Sequence, residues 1–326
     1  VNSCLLFTDR ERAEALARGD INLAFCRRCA FVFNAAWESG ATIYTDSYEE
    51  TQVFSTTYGA YQQKLAEELV RRYDIFGKEI VEIGCGKGAF LTLLCEMGGN
   101  SGVGYDPSFV PGRSATGASR IVFKREYFSE TTDQNDPDLI CCRMTLEHIA
   151  ETRRFLQAVR RIASPERGTI VFFQVPDVRR ILAEGAFWDI YYEHCSYFSP
   201  ASLTRLFRIS GFDVLRMTGG FDDQYLQVEA RPVECADSTD AFPEDEDVER
   251  LAESVETYPD RAARCAADWD ARIRAVTGAG GRVVLWGSGS KAVAFLSSVS
   301  AGQDIEYLVD INPHRWGKFV PGSGKL

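Results

Sequence analysis

Long apolar runs are missing: nowhere in the 326 residues is there an uninterrupted apolar stretch near the ~18 residues of a membrane-spanning helix. A basic block is missing as well. With 36 Lys and Arg against 47 Asp and Glu, a formal net charge of −11, the chain offers no electrostatic footprint for a nucleic-acid backbone or an anionic membrane. Neither partner class is expected. Where a secretory leader would carry an apolar core, the chain has Asp9, Arg10, Glu11, Arg12 and Glu14, so the expectation is a soluble, cytoplasmic protein. An initiator Met is absent and the chain stops abruptly at Lys325-Leu326, so the sequence is expected to be part of a longer gene product. Histidine is scarce, with His148, His194 and His314 making up the full set.

What is present is 45% apolar and 25% charged, enough to fill conventional cores in about two domains. That excludes a disordered, collagen-like or coiled-coil chain. Most of the ten cysteines lie in apolar runs, as Cys85, Cys95, Cys141 and Cys142 do, where Cys acts as a small hydrophobe. Charge is uneven: residues 233–270 hold thirteen Asp and Glu against three Arg, a net of −10 that leaves −1 for the rest. This acidic stretch reads as a linker followed by a helix with apolar positions at Val248, Leu251, Val255, Trp269, Ile273 and Val276. The division expected is a Cys-containing module at 1–43, a central domain at 44–232, the acidic linker and helix at 233–279, and a short C-terminal unit at 280–326.

Within the central domain, strand-like runs at 79–83, 102–105, 138–142 and 169–175 alternate with helical periodicity at 55–75, 89–97 and 152–162. Ser199-Pro200 supplies an N-cap and a first-turn proline for a helix through Ile209. Strands at 213–218 and 225–230 close the domain and lie near enough in sequence to pair as an antiparallel hairpin. Such alternation implies an α/β fold, a mostly parallel sheet covered by helices on both faces.

The segment Val81-Glu82-Ile83-Gly84-Cys85-Gly86-Lys87-Gly88 follows a strand and opens a helix, and Asp106 falls at the end of the next strand. Glycines there let the backbone turn sharply and approach a ligand without a Cβ in the way, and a carboxylate placed like Asp106 can accept both hydroxyls of a ribose. The spacing is G-x-G-x-G, not the dinucleotide G-x-G-x-x-G. It resembles motif I of the class I S-adenosylmethionine-dependent methyltransferases. The resemblance implies S-adenosylmethionine as cofactor, held by Glu82, Gly84, Gly86 and Gly88 with Asp106 on the ribose. It also implies a Rossmann-like, seven-stranded sheet ending in the antiparallel hairpin. Tyr44, Tyr48, Tyr58 and Tyr61 cluster just before this motif; Tyr48 is the one assigned to the donor pocket.

His148 lies in Thr145-Leu146-Glu147-His148-Ile149, at the carboxyl end of a strand where doubly wound sheets bind ligands. His194 lies in a polar-aromatic loop containing Tyr191-Tyr192-Glu193-His194 and Tyr197-Phe198-Ser199. This loop resembles that of the sugar C-methyltransferases that act on nucleotide-linked keto-deoxysugars. The order of features extends the likeness over nearly the whole chain: Cys-x-x-Cys, motif I, this loop, then a C-terminal unit from Trp286-Gly-Ser-Gly-Ser-Lys to Asp310-Ile-Asn-Pro. Methylating carbon beside a carbonyl needs a base for a carbon-bound proton, a donor to the enolate oxygen, and an in-line methyl group. His194 suits the base because its unperturbed titration falls near working pH, with Glu193 to orient it. The resemblance implies these roles for His194 and Glu193 and places Tyr191 in the same pocket; Tyr191 or His148 would donate to the enolate oxygen. Oxygen or nitrogen methylation on the same scaffold is the alternative.

Cys26-Arg27-Arg28-Cys29 has the spacing of half a structural zinc site. The family carries a second Cys-x-x-Cys upstream, but here only Cys4 precedes it, so zinc on Cys4, Cys26 and Cys29 competes with three reduced thiols in a small core. In the C-terminal unit, Gly287, Gly289 and Ala292 spell G-x-G-x-x-A after a strand, with Asp310 ending the next. Alone this satisfies the dinucleotide fingerprint and keeps an NAD-dependent oxidoreductase or epimerase open. The unit is short for that role, and the resemblance implies a Rossmann-like unit that helps hold the substrate, with Lys291 within reach of a phosphate.

Overall fold

The structure, a computed structural model, describes residues 2–113, 120–132, 136–234 and 245–326. Asp9 caps a short helix α1 (Arg10–Glu14) by accepting from the Arg12 amide at 2.8 Å. An antiparallel hairpin follows, β1 (Leu23–Cys26) and β2 (Phe31–Asn34), with Cys26 and Cys29 at its turn. Helix α2 (Thr56–Arg72), capped by Ser55, leads into the central sheet.

The central elements in chain order are β3 (Glu79–Ile83), α3 (Ala89–Gly98), β4 (Ser101–Tyr105), β5 (Ile121–Lys124), β6 (Leu139–Arg143), α4 (Thr152–Ile162), β7 (Ile170–Pro176) and α5 (Val178–Glu184). They are followed by β8 (Ser196–Tyr197), α6 (Pro200–Ile209), β9 (Phe212–Gly220) and β10 (Tyr225–Pro232). The seven-stranded sheet runs β5-β4-β3-β6-β7-β10-β9. Its first five strands are parallel, and β10 pairs antiparallel with both β7 and β9. This is the α/β architecture expected from the alternation, with the closing hairpin. Strands buried on both faces read as continuous apolar runs: all five residues of β6 are buried. One core forms on the α4–α6 side around Leu156, Val159, Phe173 and Phe207, the other on the α2–α3 side around Leu69, Leu91, Leu94 and Phe172. Helix α6 shows the expected cap, with Ser199 and Ser202 exchanging side-chain-to-backbone bonds and Pro200 at the first position.

The strand order reverses beside β3, so the carboxyl ends of β3, β4 and β6 open onto one crevice, as in other doubly wound sheets. Strand β8 does not join that sheet; it pairs with β2 and ties the N-terminal hairpin to the loop that carries His194. Residues 235–244 of the acidic stretch lie outside the described residues. Helix α7 (Asp245–Gly278) then extends for 34 residues. Leu251 packs with Val178, Ile181 and Leu182 of α5, and Ile273 packs with Phe187 and Phe295. The C-terminal unit holds the parallel pair β11 (Leu285–Trp286) and β12 (Leu308–Val309) with α8 (Ser290–Ser298) between them. Among the described residues no helix is long and apolar enough to cross a membrane.

Candidate active site

A cavity of about 900 Å³ is lined by the first glycine turn, the segment 144–149, the loop around His194, and the second glycine turn. In the first turn Gly84, Gly86 and Gly88 all adopt positive φ, at 70°, 54° and 85°, where a Cβ is disfavoured. Close approach matters equally. A Cβ on Gly84 would lie 1.9 Å from Thr145 Oγ1, and one on Gly86 would lie 2.5 Å from Glu50 Oε1. Asp106 Oδ2 accepts from the Gly86 amide at 2.8 Å, and Oδ1 accepts from the Ser108 amide and hydroxyl at 2.7 Å each. Oδ2 keeps a lone pair for a further donor such as a ribose hydroxyl. Glu82 accepts from the Leu91 amide at 3.0 Å, and burial pushes its carboxyl up to about 8 against the pull of Arg143.

Two residues that the spacing does not mark complete this wall. Lys87 is buried, and its Nζ donates to the Tyr48 carbonyl at 2.8 Å and the Ser108 carbonyl at 2.7 Å. It thereby staples the glycine turn to the loop after β4 and to the segment before α2. Glu50 sits 3.4 Å from the same ammonium, yet burial raises its carboxyl to about 7. The wall that would surround the donor is thus backbone amides and glycine Cα atoms with carboxyls at its margins. This fits a zwitterionic amino-acid end beside a ribose.

The second wall carries the histidines. The Cys195 amide donates to the Glu147 carbonyl at 3.0 Å, and the Asn34 amide donates to the Cys195 carbonyl at 3.0 Å. These bonds fix the His194 loop between the short 3₁₀ turn Leu146–His148 and the N-terminal hairpin. The His194 ring lies 4.8 Å from that of His148 and 4.1 Å from that of Tyr191. His148 Nδ1 is 2.9 Å from the Tyr44 hydroxyl and 3.1 Å from the Glu193 carbonyl. Enclosure away from water lowers His148 to about 4 and holds His194 well below the usual imidazole range, with His148 adding to the second effect. Both are neutral at pH 7, as a general base must be. Burial raises Tyr191 well above the ordinary phenol range, so its proton is retained.

Glu193 does not face the imidazole next to it in sequence. Its carboxylate accepts from the Ser3 amide at 2.8 Å, the Ser3 hydroxyl at 2.5 Å and the Tyr48 hydroxyl at 3.2 Å. Tyr48 lines the cavity, but its hydroxyl is committed to Glu193. The carboxyl near His194 is that of Glu147, with Oε1 4.0 Å from His194 Nε2. The sequence does not mark Glu147 for this place, because nothing in residue spacing signals a contact between positions 147 and 194.

The second glycine turn repeats the hydrogen bonding of the first. Asp310 Oδ2 accepts from the Ser288 amide at 2.8 Å and Oδ1 from the Asn312 amide at 2.8 Å, as Asp106 does with Gly86 and Ser108. Lys291 pairs with Asp189 at 2.8 Å. The three cysteines do not assemble. Cys4 Sγ lies 3.2 Å from Ser290 Oγ at the start of α8, whereas Cys26 and Cys29 sit on the β1–β2 turn. The His, Cys, Asp and Glu group of metal-binding size among the described residues is Glu147, His148 and His194. Zinc on Cys4, Cys26 and Cys29 is therefore corrected: Cys4 belongs to the interface with the C-terminal unit and supplies no third ligand.

A glycine turn after β3, an acid ending β4, and a parallel sheet closed by one reversed strand define the class I S-adenosylmethionine-dependent methyltransferase fold. The family models agree, one for a methyltransferase domain matching residues 58–217 and one for a C-methyltransferase C-terminal domain matching 219–324. The chain belongs to the S-adenosylmethionine-dependent C-methyltransferase family that joins these two domains. It is similar to the C-methyltransferase NovU of Streptomyces niveus, at 26% identity over 285 residues, covering 81% of this chain. It spans 65% of that relative's length. Solved structures similar to the chain include an S-adenosylmethionine-dependent methyltransferase from Mesorhizobium loti, at 16% identity and TM-score 0.43, covering 54% of this chain and 99% of that one. Another is the magnesium protoporphyrin IX methyltransferase of Synechocystis PCC 6803 with bound SAH, at 14% identity and TM-score 0.41, covering 53% and 83%. The family assignment rests on the two domain models.

Proposed function

We propose that the chain transfers a methyl group from S-adenosylmethionine to a carbon beside a carbonyl, in a nucleotide-linked keto-deoxysugar or a related natural-product intermediate. The observation that carries this reading is a neutral, buried His194 in the same cavity as the glycine turn and Asp106. Oxygen methylation also uses a base, but a base enclosed away from water, beside a phenol that keeps its proton, suits a carbon acid whose enolate needs a hydrogen-bond donor. The C-methyltransferase C-terminal domain and the relative named for that activity support the same choice.

Bound S-adenosylmethionine supplies an electrophilic methyl group, and Gly84, Gly86, Gly88 and Asp106 would hold it in the cavity that His194 also lines. His194 takes the proton from the substrate carbon, and the electron pair of that C–H bond moves toward the carbonyl oxygen. Of the two donors named from the sequence, Tyr191 is the better placed. A carbonyl beside His148 Nδ1 at 3.1 Å places the His148 proton there, leaving a lone pair on Nε2 that repels an enolate oxygen. Tyr191, packed on the His194 ring, keeps its hydroxyl proton and donates. The second glycine turn and α8 offer backbone amides on the opposite side of the cavity for the substrate's nucleotide part. Incubation with S-adenosylmethionine and a panel of nucleotide-linked keto-deoxysugars, read by mass spectrometry, should give a gain of one methyl, abolished in His194→Ala. Calorimetric binding of NAD without binding of S-adenosylmethionine would overturn this reading in favour of redox chemistry.

A further inference from the structure

We propose that Glu147 is the positioning residue of the general base, holding the Nε2 side of His194 and balancing the charge that the imidazole acquires when it takes the substrate proton. This rests on the reading of His194 as base. Glu147 is 1% exposed, and beyond its own backbone amide neither of its carboxyl oxygens has a hydrogen-bond partner, nor has His194 Nδ1. A buried carboxyl so sparsely matched is costly to fold, and such groups persist mainly where chemistry uses them. Its Oε1 is 4.0 Å from His194 Nε2, about an ångström beyond hydrogen-bonding distance, so a small side-chain movement joins them. Glu193, the neighbour in sequence, has both oxygens engaged by Ser3 and Tyr48 and is directed away from the imidazole.

The arrangement orders the proton's path. With its proton on Nε2 facing Glu147, His194 presents the Nδ1 lone pair as base. The substrate C–H bond breaks and an Nδ1–H bond forms, giving an imidazolium whose second N–H points at the Glu147 carboxylate. After the carbon–carbon bond has formed and the sulfur has taken up the electron pair of its bond to methyl, Nδ1 returns its proton to solvent. The other titratable groups around the pair are His148, Tyr44, Tyr191, Tyr197, Cys142 and Cys195, with Lys291 acting on His194 from α8. Lys291 is held by Asp189, and the others are neutral at pH 7, so the ionised form of Glu147 has His194 as its natural counter-ion. Burial raises the Glu147 carboxyl to about 8, so that form grows as pH rises toward 8, which puts the matching limb of the pH profile on the alkaline side. A divalent cation fits the same three residues less well. Their ligand atoms spread over as much as 4.8 Å, wider than the ~4.2 Å across a cation with bonds of about 2.1 Å.

The test uses Glu147→Gln, Glu147→Asp and His194→Ala in the full chain. Nitrogen-15 spectra of labelled histidine, recorded against pH on the protein alone, should show His194 as the Nε2–H tautomer with a shift step that follows ionisation of Glu147. The step should vanish in Glu147→Gln and return in Glu147→Asp. With a methyl acceptor from the keto-deoxysugar panel, Glu147→Gln should lower kcat on the order of 10²-fold or more with KM little changed, and should remove the matching limb of the pH profile. Calorimetric binding of S-adenosylhomocysteine shows that the variant is folded. An unchanged His194 titration and an unchanged kcat profile in Glu147→Gln overturn the proposal. So does a stoichiometric divalent cation that Glu147→Gln releases. Wild-type turnover in His194→Ala instead overturns the base assignment on which the proposal rests.

Discussion

Replacing Gly84 by Ala perturbs the donor turn and the catalytic wall through a single methyl group. Gly84 adopts a φ of 70°, a region that costs an L-residue about 1–2 kcal/mol. The new Cβ would sit 1.9 Å from Thr145 Oγ1 and 2.8 Å from Thr145 Cβ and Cγ2, so Thr145 must move. In moving it gives up its 3.0 Å hydrogen bond to the Arg143 carbonyl, worth about 1 kcal/mol. The total is about 2–3 kcal/mol, equivalent to roughly a 30- to 150-fold loss if expressed in donor affinity. Thr145 begins the segment that carries Glu147 and His148, so kcat should fall as well. Titration calorimetry with S-adenosylmethionine and a thermal melt measure the two parts. Thr145→Ala removes the same hydrogen bond, so adding it to Gly84→Ala should cost little further, a coupling of about 1 kcal/mol. Wild-type affinity and melting temperature in Gly84→Ala would refute the reasoning, as would strict additivity of the two substitutions.

Asp106→Asn retains the shape but removes the charge from bonds to the Gly86 and Ser108 amides. Affinity for S-adenosylmethionine should drop by at least about tenfold, read by calorimetry. Tyr191→Phe removes the hydroxyl assigned to the enolate oxygen; kcat should fall on the order of 10²-fold while S-adenosylhomocysteine binding is unchanged. Burial raises three carboxyls from the usual 4.5, Glu50 to about 7 and Glu82 and Glu147 to about 8. The folded state therefore binds more protons than the unfolded one across that window, and the stability these groups lend below pH 4.5 is lost as pH rises through 7 and 8. The melting temperature of the ligand-free protein should fall over this range, and Glu82→Gln should flatten the fall.

Much of the fold is legible where local and global signals agree. The apolar run at 79–83 bounded by glycines, and Ser199-Pro200 before an amphipathic segment, specify β3 and α6 by themselves. Strand β5 escapes notice because four residues at a sheet edge carry little periodicity, and α5 because seven residues after Pro176-Asp177 read as loop. In the site, positive-φ glycines leave a spacing signature, so the donor turn and Asp106 stand out in the sequence. Lys87 and Glu50 do not, since their roles come from a chain crossing that brings Tyr48 and Ser108 together. Adjacency misleads at Glu193: the chain turns there, with the His194 amide donating to the Tyr191 carbonyl, Glu193 goes to Ser3 and Tyr48, and the carboxyl nearest His194 comes from Glu147 after another strand.

Carbon methylation driven by His194 is open to direct measurement. Its most direct measurement is carbon-13 NMR of the product formed from S-adenosylmethionine labelled in the methyl group, with a nucleotide-linked keto-deoxysugar as acceptor. The label is expected on a carbon beside the carbonyl, with no such product from His194→Ala. A label on oxygen or nitrogen, or full carbon methylation by His194→Ala, would contradict it.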